Sequence, residues 1–203
     1  MNKTIAAWVV SAALAAASSI ASAQFSMPKM PGASSNVGAV SAEGLVKNYV
    51  AGTKSVMSAD VKMLKALGLK EQAAKEELAA KNLTEGATAS SLEDAAKIQT
   101  DSSKALAEKM GEKKVVIDAE GKKQYTSGLV DLAVGIKSYA GVGADVKNYK
   151  PGMSSIGGTG EAAMFVVKTL PDSSSNLMST LKRAVDFARE NKIEVPVEAT
   201  SLL

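Results

Sequence analysis

The chain contains no cysteine and no histidine among its 203 residues. Without cysteine there is no disulfide, no thiolate nucleophile, no thiolate metal ligand, and no attachment point for a lipid anchor or a c-type haem. Without histidine the commonest general base and the commonest metal ligand are both missing. That excludes the Glu-x-x-His di-iron sites of ferritin-like bundles, ordinary b-type haem ligation and the favoured structural zinc sets. Aromatic residues are scarce too: one Trp, four Tyr and three Phe. The core must be built from Leu, Val, Ile, Met and Ala, which suits helix packing better than an aromatic-rich β-sandwich.

What is present begins with an export signal. Lys3 supplies a positive start, Ile5 to Ala17 is apolar apart from Ser11, and Ala21-Ser22-Ala23 is an A-x-A cleavage site. The alternative is an uncut anchor, but the apolar run of roughly 13 residues falls short of the ~20 that span a bilayer. Residues 1–23 are therefore expected to be a signal peptide, with the working protein starting near Gln24 in the periplasm or outside the cell. The only Trp, Trp8, goes with the signal. The chain has 24 basic and 21 acidic side chains, and the signal removes one of the basic ones, Lys3. So small a surplus, with the signs interleaved, predicts neither nucleic acid as a partner nor strong attraction to an anionic membrane.

Residues 24–40, with Met-Pro-Lys-Met-Pro-Gly followed by Ala-Ser-Ser-Asn-Val-Gly, read as a flexible linker. A helical domain is expected over 41–203. Ser41 is a candidate N-cap for a helix to Leu67, with Glu43 in its first turn. Leu45, Val46, Tyr49, Val50, Val56, Met57, Val61 and Leu64 recur at threes and fours, and Thr53 bridges one longer gap. Lys70 to Asn82 reads as a second helix with favourable Glu71–Lys75 and Glu77–Lys81 spacings. Its apolar content (Leu69, Leu78, Leu83) is thin, which places it on the outside. Ser90-x-x-Glu93 has the pattern of a capping box for a third helix closed by Gly111. Val115-Val116-Ile117 reads as extended. Ala119 to Tyr149 is the longest expected helix. Glu161 to Leu170 is an apolar helix stopped by Pro171, and a last helix runs from caps at Asp172 to Ser175 as far as Glu190, with Leu177, Leu181, Val185 and Ala188 inward. The tail Ile193 to Val197 reads as extended around Pro196.

Two patterns stand out. Gly121, Gly128 and Gly135 recur every seven residues on one helix face, although glycine costs about 1 kcal/mol against alanine inside a helix. That face is expected to meet another helix backbone closely. Gly141 and Gly143 are candidates for a kink. Also, Gly44-Leu45-Val46 resembles Gly128-Leu129-Val130, and Ala59-Asp60-Val61-Lys62 resembles Ala144-Asp145-Val146-Lys147. One explanation is a pseudo-two-fold duplication with halves 41–118 and 125–198; the other is chance matching among abundant residue types.

No chemical motif is complete. Met27 and Met30 have thioether spacing suited to Cu(I), but two methionines among prolines also describe a linker. Gly157-Gly158-Thr159-Gly160 ahead of a helix could cradle a phosphate, but it lacks the preceding strand or following Lys of a nucleotide motif, and Glu161 sits where the anion would lie. It reads as a loop hinge. Asp131, Asp145, Glu161 and Asp186 are available carboxylates, with nothing to pair two across a cleft. Ser127 is not in a G-x-S-x-G elbow. Tyr125 and Tyr139 share a helix face and read as core residues with hydroxyls at the rim.

The expected fold is all-α: an elongated bundle of five or six helices, two of them long, with short extended segments near 115–118 and 193–198. The expected function is non-catalytic, with no cofactor, no metal and no catalytic residue. It is a binding, carrier or scaffold protein whose apolar groove or pocket takes an apolar small molecule, a lipid or another protein. A secreted membrane-active or host-interacting helical protein is the second reading. A carboxylate-dependent enzyme is the third.

Overall fold

The computed structural model describes residues 40–151 and 157–203. The expected signal peptide, the expected linker as far as residue 39 and the Met27–Met30 pair lie outside them. The described chain is all-α, with six helices: α1 (Ala42–Ala66), α2 (Lys70–Asn82), α3 (Ala89–Met110), α4 (Ala119–Asn148), α5 (Gly158–Glu190) and α6 (Val197–Thr200). Four of them, with 25, 22, 30 and 33 residues, are long, where two had been expected. Among the described residues no helix is long and apolar enough to cross a membrane.

The helix ends follow local chemistry. Ser41 caps α1 by accepting from the Gly44 amide at 3.0 Å, and Asp118 caps α4 through Gly121 at 2.7 Å. Gly68 ends the first helical segment in the left-handed region at φ +80°, where its amide and that of Leu69 turn back onto the carbonyls of Lys65 and Leu64. The third helix starts earlier than the Ser90–Glu93 box implies. Thr88 is the cap, accepting from the Ser91 amide at 3.2 Å, while Ala87 and Leu92 on either side of it are buried and favour that entry over one turn from Ser90.

The largest correction is at Pro171. The expected pair of helices is one continuous helix, α5, and it rather than α4 is the longest. Pro171 removes one backbone donor and crowds the carbonyl four residues earlier, but its ring is exposed, so that turn faces water. Leu170 and Leu177, either side of it, stay buried with Leu181, Ala184, Val185 and Ala188. Burial of one unbroken apolar stripe outweighs the local penalty. Gly158 to Gly160, expected in a loop, are the first turn of this helix, with Gly157 at φ +124° before them.

The expected extended segments form no strands; among the described residues the sole β pairing is an isolated bridge between Val40 and Tyr149. Residues 114–118 are irregular, with Val116 turned out and Val115 and Ile117 packed against the core. Two such segments without further strands have too little pairing to form a sheet. Residues 197 and 198 instead begin α6. The tail before it is strapped to α4: Lys122 donates to the Asn191 carbonyl at 2.9 Å and Thr126 to the Glu194 carbonyl at 2.9 Å. The first half thus has three helices where the second has two long ones, so the proposed halves differ in element order.

The glycine repeat does what its spacing predicts. A methyl group at Gly135 would lie 2.5 Å from Val56 Cγ2 and 3.1 Å from the Val56 backbone nitrogen. At Gly128 it would lie 2.7 Å from Met63 Cγ and 3.0 Å from the Ala59 carbonyl, and at Gly121 3.2 Å from the Ala66 carbonyl. As the number rises along α4 it falls along α1, so the two helices are antiparallel neighbours in near backbone contact. Gly52 reciprocates from α1, directly under the Tyr139 ring. Gly141 and Gly143 lie within α4, which continues through both.

Candidate binding groove and buried carboxyl pair

The four carboxylates singled out from the sequence do not converge. Asp131 takes the Ser58 hydroxyl at 2.7 Å and the Lys62 ammonium at 2.7 Å. Asp145 takes the Asn48 amide at 2.8 Å, Asp186 faces Arg189 at 3.5 Å, and Glu161 is exposed in the first turn of α5. Among the described residues no three acidic side chains come together as a metal site. Ser127 accepts from Lys62 at 3.0 Å. A Ser–Lys hydrolytic pair needs a neutral lysine to take the serine proton. Lys62 also reaches Asp131, at 2.7 Å.

Tyr125 and Tyr139 are deeper than expected. Both rings are buried, and their hydroxyls bond inside the core rather than at its rim. Tyr125 donates to the Ala184 carbonyl at 3.2 Å, and Tyr139 shares a 2.9 Å hydrogen bond with Thr53. Burial pushes both phenols well above their ordinary range. They are structural anchors.

The chemistry that sequence reasoning missed lies on α2, whose adjacent glutamates face opposite ways. Glu77 turns outward and pairs with Lys65 at 2.8 Å and Lys81 at 3.0 Å. These two lysines lower its carboxyl to about 2. Glu76 turns inward onto Asp60 of α1. Both are 0 % exposed, and none of their four carboxyl oxygens has a well-formed hydrogen bond. Desolvation, with no cation to offset it, raises Asp60 to about 7, and desolvation together with the Asp60 charge raises Glu76 to about 10. The two titrate as one system. A proton held between them is the donor that the surroundings fail to supply. Ser102 of α3, itself accepting from Gln72 at 3.1 Å, acts on Glu76 in the opposite sense and lowers its carboxyl.

A signal for this pair does exist in the sequence. Asp60 continues the stripe Tyr49, Thr53, Val56 to Leu64 at steps of three and four. Glu76 falls three residues after Ala73 and seven before Leu83. Both occupy inward positions of amphipathic helices.

Beside the pair, α1, α2 and α4 enclose an open groove of about 580 Å³. Val61 and Ala80 line it together with Lys54, Lys62, Lys65 and Lys81. Ser58, Gln124 and Ser127 add hydrogen-bonding groups, and Glu77 is the one acidic side chain that lines it. The groove is formed by groups next to, but separate from, the buried pair: Val61 follows Asp60 and Glu77 follows Glu76.

No protein-family model, curated protein or solved structure matches the chain.

Proposed function

We propose that the protein is an exported, non-catalytic binding protein that holds an anionic amphiphile in the groove between α1, α2 and α4. The observation that carries this reading is the groove's composition: four lysines against one glutamate, beside the apolar side chains of Val61 and Ala80. Its volume of about 580 Å³ falls in the range of small-molecule sites. Charge complementarity selects a carboxylate- or phosphate-headed ligand over a neutral one. The expected purely apolar ligand fits less well, because the lysines at the walls would be desolvated by it without a counter-charge. Export rests on the signal segment at residues 1–23.

Titration calorimetry with sodium dodecanoate and with dodecanol tests the reading. Dodecanoate is expected to bind and dodecanol to bind at least tenfold more weakly. The Lys54→Ala/Lys81→Ala variant should weaken dodecanoate by about tenfold, a loss of ~1.4 kcal/mol. Equal affinity for the two probes, or binding of neither, would overturn it. Native mass spectrometry of protein purified from its own periplasm or culture fluid would then identify the natural occupant.

A further inference from the structure

Helix α2 is an unusually weakly anchored wall. Its buried side chains are Ala73 and Glu76; the larger apolar residues that fix it, Leu67 and Leu83, lie beyond its two ends, and its own Leu78 is exposed. It is 13 residues long, about the length at which an isolated helix is marginal in water. Gly68 precedes it in the left-handed region, and Gly86 follows it with open space around its Cα. One of the two side chains it offers the core is thus an acid, and the group it meets, Asp60, is another.

We propose that α2 is a proton-held strap: it lies on α1 most firmly while Asp60 and Glu76 are both protonated, and its hold loosens as the first of those protons is lost, opening the lysine-lined groove it walls. The physical cause is that even one anion is costly in a buried site with no counter-ion, and a second one is costlier still. Among the described residues no lysine or arginine is buried. The groups facing the pair are few. From α1 comes Asp60 itself; from α4, the Tyr139 hydroxyl, which feels the Asp60 charge and is tied to Thr53 and Tyr49. From α3 comes Ser102, which does not titrate. The cations nearest in sequence, Lys62 and Lys65, point outward to Asp131 and Glu77.

The neighbouring structure confines the response to α2. The α1–α4 contact is packed through glycines against backbone and apolar side chains, and the charged groups that bridge it, Asp131 with Lys62 and Asp145 with Asn48, lie at its solvent-facing edge rather than unpaired within it, so its protection from solvent should follow pH far less than that of α2. On the outer face of α2, Glu77 lies 2.8 Å from Lys65 of α1 and is held well below its ordinary range, so it stays ionised across this pH span. The folded pair holds more protons than the unfolded chain. Attachment is therefore tightest in acid and weakens as pH rises through neutrality.

Hydrogen exchange of the full chain at pH 5.5 and 8.5, corrected for intrinsic rates, reads this directly. Amides of α2 are expected to lose about tenfold or more of their protection at pH 8.5, while those in the middle of α4 keep theirs. Asp60→Asn/Glu76→Gln should show the same α2 protection at both pH values, and Glu76→Gln, which leaves Asp60 to titrate, should show a smaller change than the wild type. The wild-type comparison stands alone should either variant fail to fold. The proposal is overturned if α2 protection does not change with pH, or if α4 loses protection by the same factor. It is also overturned if millimolar calcium or magnesium abolishes the change, which would make the pair a cation site.

Discussion

Helix α1 is buried from two sides by opposite means. Against α4 it meets glycines so closely that a single methyl group has no room. Against α2 it meets an alanine and a carboxylic acid. The first contact draws its strength from dispersion and close backbone approach, which are indifferent to pH. The second depends on the protonation state of two side chains. One helix therefore carries a permanent joint and a conditional one, and the candidate groove lies where both α2 and α4 flank α1.

The permanent joint should break most severely. Gly135→Val places a branched side chain where even Cβ would be 2.5 Å from Val56 Cγ2 and 3.1 Å from its backbone nitrogen. Overpacking against backbone is expected to cost about 3 kcal/mol, lowering the melting temperature by roughly 6–12 °C, equally at pH 5 and pH 8. Gly141→Ala is the control on the same helix. Nothing lies within 4 Å of its Cβ position, so the helix propensity gain of up to about 1 kcal/mol should appear unopposed. Calorimetric melts of both variants at the two pH values check the difference.

The conditional joint should respond in the other direction. Asp60 and Glu76 both have raised carboxyls in the folded chain, so folding takes up protons. Stability is greatest below the ordinary carboxylate range, falls as pH rises past 4, and continues to fall through neutrality toward 10 on account of Glu76. Glu76→Met removes one acid and gives α2 an apolar side chain in its place. It should stabilise the protein by about 2 kcal/mol at pH 8 and by less at pH 5. Urea unfolding at both pH values measures the two gains; equal gains would mean that the pair does not set the pH response.

The contrast explains which parts of the molecule were legible from sequence. The α1–α4 joint was readable because glycines spaced by seven on a helix have few reasons to be there other than close approach. The all-α class followed from caps and apolar spacing in the same way. The α2 joint was not read, because an acid on an inward face looks the same in sequence as an acid on a solvated one until its neighbours are known. Glu76 and Glu77 are chemically identical, and one-residue rotation on a helix decides their fates. Pro171 misled for a related reason. Its local rule is to stop a helix, and only the position of its ring on the outside of a long buried stripe lets α5 pass through. The candidate carboxylates failed as a site because each met its own surface partner.

A smaller effect is expected at the polar link that crosses the permanent joint. Tyr139 shares its hydroxyl with Thr53 at 2.9 Å, and its ring lies 5.2 Å from that of Tyr49. Tyr139→Phe keeps the ring contacts and removes the bond, while Thr53 retains the Tyr49 carbonyl as acceptor. The loss should be about 1 kcal/mol. Because the Tyr139 phenol is held far above its ordinary range by burial, the loss should be the same at pH 5 and pH 8. Chemical denaturation at each pH provides the check, and a pH-dependent loss would tie Tyr139 to the carboxyl pair beneath it.

The smallest effect separates the two glutamates of α2. Glu77 is held near 2 by Lys65 and Lys81, so the sign of its linkage is opposite to that of Glu76: its contribution is present above the ordinary carboxylate range and is lost as pH falls through about 2. Its side chain is 40 % exposed and those of its partners 43 % and 69 %, so solvent and salt screen most of the attraction. Glu77→Gln should therefore leave the melting temperature at pH 8 unchanged within the resolution of the measurement, at low and at high salt, one residue away from the position whose replacement moves it most strongly on this helix. Its consequence should appear in binding instead. Removing the one acid that lines the groove leaves Lys65 and Lys81 without their partner, so dodecanoate should bind more tightly to Glu77→Gln than to the wild type. Weaker binding would mean that Glu77 holds Lys65 and Lys81 in the geometry the ligand needs, and that the groove depends on the outer face of α2 as well as on the inner one.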